Sequence, residues 1–140
     1  MLPDTMSKKD QGELFKDTIE MLKETDYIVD SLAEGPKKFL GYVRLNKESK
    51  VRRLDLLMTP REEFAYAILY FTGSQNFNVA FRRYAQEQGY TINEHTMKPV
   101  KEGVEEPPRM DEEKDIFDYL GLQYVEPEKR EGAKDVTPLE

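Results

Sequence analysis

Apolar residues near the start of the chain recur at helical spacing. After ten residues without a periodic pattern, roughly every third or fourth position is apolar over residues 11–25. The apolar positions are Leu14, Phe15, Ile19 and Leu22. This spacing is typical of an amphipathic helix whose acidic residues lie on the outer face. The pattern therefore predicts a flexible lead-in at residues 1–10, followed by a helix over residues 11–25.

The pattern then changes to the period of two that is typical of β-strands. Residues 27–29 predict a short strand, and residues 38–45 and 51–58 predict a hairpin around a polar loop. One face of the first hairpin strand contains Phe39, Gly41, Val43 and Leu45, and one face of the second contains Leu54, Leu56 and Met58. These faces predict an antiparallel sheet that buries one side and leaves the other side open.

Helical patterns return after the hairpin, and capping residues mark where each helix begins. Thr59, Pro60 and Glu62 have the spacing of a capping box with proline at the first helical position. Ser74 can cap a second helix, and Asp111 can cap a short last one. Short strands are predicted between these helices, around residues 91–100.

These elements predict an α+β protein. Residues 11–60 form a part built from a helix and antiparallel strands, and residues 61–131 form a helical part with a small sheet. The charged end of the chain, residues 132–140, is predicted to be a flexible tail.

Composition excludes several classes of site. The 140 residues include no cysteine and one histidine, His95, which excludes disulfides, a cysteine nucleophile and a zinc site built on a histidine pair. No stretch has the ~18–20 consecutive apolar residues of a membrane span, and the N-terminus does not resemble a signal peptide. The sequence therefore predicts an intracellular protein that is not secreted and has no membrane partner.

The net charge of −7 is unevenly distributed along the chain. Residues 1–34 have a balance of −5 and residues 102–140 a balance of −8, whereas residues 35–101 contain 12 basic and 6 acidic residues. A basic middle between acidic ends is expected if one surface meets an anionic partner, although chance clustering on a solvated surface explains it equally well.

Asp55 is the acidic residue that most needs an explanation. It lies within an apolar strand, on the face opposite to Leu54 and Leu56, where a carboxylate is unfavourable unless something pairs with it. Arg53, two residues earlier on the same face, is one partner, and a metal ion such as Mg²⁺ is the other. The residues alone favour the ion pair.

Several motifs resemble the family X DNA polymerases, in particular the beta and lambda group. They are RRLDLLMTP at residues 52–60, YFTGS at 70–74, Phe77-Asn78, Arg82, GYTINEH at 89–95 and EKDIFDYLGLQYVEPEKR at 113–130. The resemblance covers most of the chain. It identifies residues 11–60 as the C-terminal part of a nucleotidyltransferase palm and residues 61–131 as a thumb.

The resemblance also implies roles for individual residues. Asp55 would be a catalytic metal ligand and Arg53 a catalytic residue beside the primer terminus. Nucleotide-binding residues would be Tyr70, Phe71, Gly73 and Asn78, and DNA-binding residues would be Lys38, Arg53, Arg82 and Glu94. The implied function is gap-filling nucleotidyl transfer in DNA repair, with primer-template DNA and a deoxynucleotide as partners, Mg²⁺ as cofactor and the nucleus as location.

One expected motif is absent from these 140 residues. The family's chemistry uses two metal ions and three aspartates, two of them in a Gly-Ser…Gly-Asp-x-Asp segment, but no Asp-x-Asp occurs here and the one Gly-Ser is Gly73-Ser74. The metal site is therefore expected to be incomplete, and the chain alone is expected to be inactive. A non-catalytic DNA-binding or scaffold module, or one half of a split polymerase with the other half on a partner polypeptide, are the alternatives.

Overall fold

The computed structural model describes residues 5–139, which divide into two compact units. The N-terminal unit extends to Pro60 and the C-terminal unit begins at Arg61. In order, the elements are α1 Lys8–Glu24, β1 Ile28–Glu34, β2 Lys38–Val43, β3 Arg52–Leu57, α2 Phe64–Thr72, α3 Gln75–Glu87, β4 Tyr90–Ile92, β5 Met97–Pro99 and α4 Glu113–Tyr119, with 3-10 turns at Arg61–Glu63, Pro127–Lys129 and Ala133–Asp135. Helices and small antiparallel sheets confirm the predicted α+β class.

The first helix, α1, begins at Lys8 and not at residue 11. The Ser7 hydroxyl accepts a hydrogen bond from the amide of Asp10 at 3.1 Å and caps the first turn. The prediction that residues 8–10 belong to the lead-in is therefore wrong. Apolar periodicity missed this turn because all three of its residues are polar. Residues 1–4 of the predicted lead-in lie outside the described residues.

The three strands of the N-terminal unit form an antiparallel sheet in the order β1-β2-β3. Phe39 and Val43 of β2 are buried against Ile19 of α1, and the half-buried Leu54 and Leu56 of β3 pack on the same cluster. This is the face predicted to be buried. Leu45 is an exception, since β2 ends at Val43 and the Leu45 side chain is 83% exposed.

Strand β1 is longer than the three residues predicted. It pairs with β2 over Ile28–Glu34, with register shifts between Ile28 and Asp30 and between Ser31 and Ala33. Each shift interrupts the alternation of faces, so the sequence of this strand does not show a period of two.

The C-terminal unit surrounds an aromatic core. Phe77 and Phe81 of α3 and Phe117 of α4 are almost fully buried, and the Phe81 and Phe117 rings meet edge to face at 5.1 Å. Ser74 caps α3 as predicted, because its hydroxyl accepts a hydrogen bond from the Phe77 amide at 3.3 Å. The helix start predicted at Thr59-Pro60 is wrong, since α2 begins only at Phe64.

The last residues pack against the C-terminal unit, contrary to the flexible tail predicted at residues 132–140. The amide of Gln123 donates to the carbonyl of Thr137 at 2.8 Å, and the amide of Leu139 donates to the carbonyl of Gly121 at 2.7 Å. Leu122 and Pro138 form an isolated β-bridge. Backbone hydrogen bonds hold this polar segment, and hydropathy does not predict them. Glu140 lies outside the described residues.

Among residues 5–139, no helix combines the length and the apolar character that crossing a membrane requires.

Candidate functional site

Asp55 lies on the open face of the sheet in the N-terminal unit. Its register partner is Leu40 of β2, and Arg53 is opposite Tyr42 on the same face. The Arg53 Nε donates to the Asp55 Oδ1 at 2.7 Å, with both side chains 49% exposed. The ion pair favoured by the sequence is present. Because both partners are half exposed, such a pair contributes only about 0–1 kcal/mol, so it leaves Asp55 available to other partners.

The donor set around Asp55 does not fit a two-metal site. Carboxylate oxygens are the ligands that Mg²⁺ prefers, and phosphoryl-transfer sites with two metal ions hold both ions through several of them. Within residues 5–139, no group of three or more histidine, aspartate or glutamate side chains is placed to hold a metal ion. Among the described residues, Asp55 therefore offers its one carboxylate without the further ligands that a two-metal site uses.

Lys38, a predicted DNA-binding residue, lies at the start of β2. It is opposite Leu57 in the register, and its exposed side chain borders a groove of about 510 Å³ between α1 and the β1–β2 turn. Lys38 is two residues from Leu40 on β2, and Leu40 is the register partner of Asp55. Lys38 therefore lies on the same face of the sheet as Asp55.

Three of the predicted residues meet in the C-terminal unit. The Asn78 side-chain amide donates to the carbonyl of Tyr70 at 2.7 Å, which ties the start of α3 to the end of α2. The Arg82 guanidinium lies 5.9 Å from the centre of the Tyr70 ring, and its Nε donates to the carbonyl of Ile92 at 3.2 Å. Tyr70, Asn78 and Arg82 therefore line one small cavity of about 20 Å³, here termed the aromatic cavity.

Two further polar residues of this cavity were missed by sequence reasoning. Tyr66 lies one helical turn before Tyr70 on α2, so the i, i+4 spacing could have indicated it. Burial, and secondarily the neighbouring Tyr119, raise the pKa of the Tyr66 hydroxyl to about 12, so it stays protonated at neutral pH. Asn93 reaches the cavity from the β4–β5 turn, and no local pattern indicates it.

Phe71 and Gly73 lie at the end of α2, beside the cavity. Phe71 is 56% exposed and meets the Tyr70 ring edge to face at 4.9 Å. Gly73 has φ of +70°, which side-chain-bearing residues rarely adopt, and it ends the helix. The next residue is anchored from the C-terminal segment, since the Ser74 amide donates to the Arg130 carbonyl at 3.0 Å and its hydroxyl to the Glu131 carbonyl at 2.7 Å.

Glu94 lies apart from the aromatic cavity. Its Oε1 is 3.4 Å from the Nε2 of His95, whose Nδ1 is 2.7 Å from Glu63. This arrangement links the β4–β5 turn to the 3-10 turn before α2. The structure thus groups Tyr70, Asn78 and Arg82, but places Glu94 in a separate acidic cluster.

Family models of known domains match both units. The DNA polymerase beta palm matches residues 1–61, and the DNA polymerase beta thumb matches residues 67–131.

Individual proteins of known activity are also similar to this chain. Rat (Rattus norvegicus) DNA polymerase lambda is 34% identical over 132 residues, which cover 84% of this chain and 23% of the relative. The DNA nucleotidylexotransferases of Gallus gallus and Xenopus laevis are each 40% identical, over 85 and 86 residues, which cover 60% of this chain and 16% of each relative. The chain therefore spans less than a quarter of the length of these relatives.

Proposed function

Since this chain belongs to family X of the DNA polymerases, we propose that it supplies palm and thumb surfaces of a DNA-directed polymerase. In that role it binds primer-template DNA and an incoming deoxynucleotide during gap filling in DNA repair. A nuclear location accompanies this role, because the DNA to be repaired lies there.

The grouping of Tyr70, Asn78 and Arg82 is the observation that supports this function most. These residues offer an aromatic ring, an amide and a guanidinium at one place, beside the exposed Phe71 ring and the Gly73 backbone. Aromatic rings and an unobstructed glycine backbone suit the sugar and the flat base of a nucleotide. An amide and a guanidinium suit the minor groove, where readout is largely independent of sequence. Arg53 and Lys38 are basic side chains on the open face of the sheet, where they can contact DNA phosphates.

Replacing Arg82 with alanine is expected to weaken binding of a primer-template duplex by about ten- to hundredfold, since hydrogen bonds to charged groups contribute about 1.5–3 kcal/mol. Asn78→Ala is expected to weaken nucleotide or duplex binding in the same direction. Fluorescence anisotropy with a labelled duplex measures both effects. Arg83→Ala is the matched control, because Arg83 is the exposed next residue of α3 and does not line the aromatic cavity. Unchanged affinity in both Arg82→Ala and Asn78→Ala would remove the proposed role.

The chain alone is expected to show no primer extension. Nucleotidyl transfer on this fold needs charge neutralisation at both the attacking and the leaving oxygen. This sequence has Asp55 in β3 but contains no Asp-x-Asp motif. A gap-filling assay with Mg²⁺ or Mn²⁺ measures extension directly. Template-dependent extension that is lost in Asp55→Asn would show that the chain is catalytically complete. Duplex binding without extension favours a DNA-binding module whose remaining carboxylates come from another segment or polypeptide.

A further inference from the structure

A second basic site lies at the end of the sheet in the N-terminal unit. There the loop between β2 and β3 meets Tyr27, whose carbonyl accepts a hydrogen bond from the Arg44 amide at 3.0 Å. A cavity of about 430 Å³ opens at this place, lined among others by Tyr27, Ser49 and three cations, Arg44, Lys50 and Arg52. No acidic residue is among the described residues that line it. We refer to this cavity as the hairpin pocket.

Among the described residues, the three cations of the hairpin pocket have no carboxylate partner, whereas two other cations of the unit do. Lys23 is paired with Glu34 at 2.8 Å and Arg53 with Asp55 at 2.7 Å. Within residues 5–139, by contrast, no carboxylate makes an ion pair with Arg44, Lys50 or Arg52. Arg44 is moreover half buried. A partly buried guanidinium without a counter-ion is unfavourable, and an anion in the pocket would compensate its charge.

The chemistry of the pocket suits a phosphate group attached to a sugar. A guanidinium binds phosphate through two parallel N–H donors, and an ammonium group binds it as a point charge. Three such groups around one cavity concentrate positive potential there. The volume falls within the roughly 300–1,000 Å³ of small-ligand pockets, which exceeds what a bare ion needs.

Two residues that line the pocket, Val43 and Arg52, lie on the side of the sheet opposite to Asp55. Arg52 is opposite the buried Val43 in the register, so it faces the core side, whereas the next residue, Arg53, faces the open side. The Arg52 part of the hairpin pocket is therefore separate from the open face, where Asp55 and Arg53 would meet the primer terminus.

We propose that Arg44, Lys50 and Arg52 bind a backbone phosphate of a nucleic acid strand at the end of the sheet, beside the β2–β3 loop. This proposal rests on the proposed function only in taking DNA as the source of the phosphate. It adds a second strand contact, and the strand must then pass the end of the sheet at the β2–β3 loop.

The salt dependence of duplex binding tests this site. In anisotropy titrations, the slope of log K against log salt concentration changes by about 0.9 for each phosphate of B-DNA that the protein neutralises. The triple variant Arg44→Gln, Lys50→Gln, Arg52→Gln is expected to make this slope shallower by about 0.9, which corresponds to the loss of one phosphate contact. A control variant with Lys8, Lys98 and Lys114 replaced by glutamine removes the same charge, but none of these residues lines the pocket or lies in the β2–β3 loop. It is expected to keep the wild-type slope, and circular dichroism verifies that each variant is folded.

The outcomes separate this proposal from the proposed function. If the wild-type chain binds no duplex at low salt, both are wrong. If Arg82→Ala weakens binding but the pocket variant keeps the slope of the control, only the phosphate site is wrong. In a parallel NMR titration, duplex DNA is expected to shift the Arg44 amide resonance. A shift caused by inorganic phosphate, with none caused by duplex, would assign the pocket to a free anion and overturn the strand contact.

Discussion

Glu113→Ala should lower the free energy of unfolding of the C-terminal unit by about 3–5 kcal/mol, the usual effect of leaving a buried charge without its partner. The Arg130 side chain is fully buried, and its guanidinium donates to Glu113 Oε1 at 2.7 Å. Its Nε donates to the carbonyl of Val125 at 2.8 Å. Three aromatic rings surround the cation, with centres 5.2–5.8 Å away: Phe77, Phe117 and Tyr124.

Removal of Glu113 is expected to be strongly destabilising because its carboxylate is the anion that pairs with the buried guanidinium of Arg130. Within the described residues, the second terminal nitrogen of Arg130 already lacks a hydrogen-bond partner, so the pair with Glu113 is its main electrostatic compensation. The backbone of Arg130 and Glu131 also holds Ser74, next to the candidate nucleotide-binding residue Gly73. Loss of the pair is therefore expected to loosen this turn as well as to lower global stability.

Urea unfolding followed by circular dichroism measures the change, and hydrogen exchange at the Ser74 and Phe77 amides reports on the turn. Lys114→Ala is the control, because it removes an exposed pair with Asp118 in the same helix and should leave the unfolding midpoint unchanged. If Glu113→Ala does not fold, Glu113→Gln keeps a neutral acceptor and should show a smaller loss. A free energy of unfolding within about 1 kcal/mol of wild type for Glu113→Ala would contradict this account of the core.

Gly41→Ala is expected to destabilise the N-terminal unit by about 1–3 kcal/mol, the range of overpacked cores. An added Cβ at position 41 would lie 2.5 Å from both the backbone carbonyl oxygen of Asp30 and the ring of the fully buried Phe39. Gly41 is in the central strand, so neither the neighbouring strand β1 nor the ring can move away without disrupting sheet hydrogen bonds or core packing.

Gly12→Ala provides a control that is expected to change stability in the opposite direction. Gly12 lies within α1, and a Cβ there meets nothing within 4 Å. Alanine in a helix is favoured over glycine by about 0.5–1 kcal/mol, so this variant should be more stable than wild type. Thermal unfolding of the two variants under the same conditions measures the contrast. Equal midpoints for both variants would show that the sheet accommodates the extra methyl group.

Local patterns along the chain predicted several features correctly. The alternation around Phe39 and Val43, and around Leu54 and Leu56, identified the buried face and thus placed Asp55 on the open one. Ser74 was recognised as a helix cap, since its position before an apolar helical stretch is a local signal. The Arg53–Asp55 pair was likewise local, because residues two apart on a strand share a face.

Two of the errors concern places where the structure does not follow a local pattern. Thr59 and Glu62 have capping-box spacing, but the chain forms a 3-10 turn there and α2 begins at Phe64. Leu45 continues the apolar alternation, yet it lies beyond the end of β2. In both cases, the backbone partners available in the fold ended or delayed the element that the side-chain pattern predicted.

By itself, the sequence determined the fold class, the faces of the hairpin strands and the family, because each depends on residue types at short, regular spacing. Only the tertiary structure brought Arg82 to Tyr70, surrounded Arg130 with three rings and Glu113, and placed three cations around one pocket. These groupings join residues from different elements, whose relative positions depend on packing and on long-range backbone hydrogen bonds. The spacing of residues along the chain therefore does not predict these groupings.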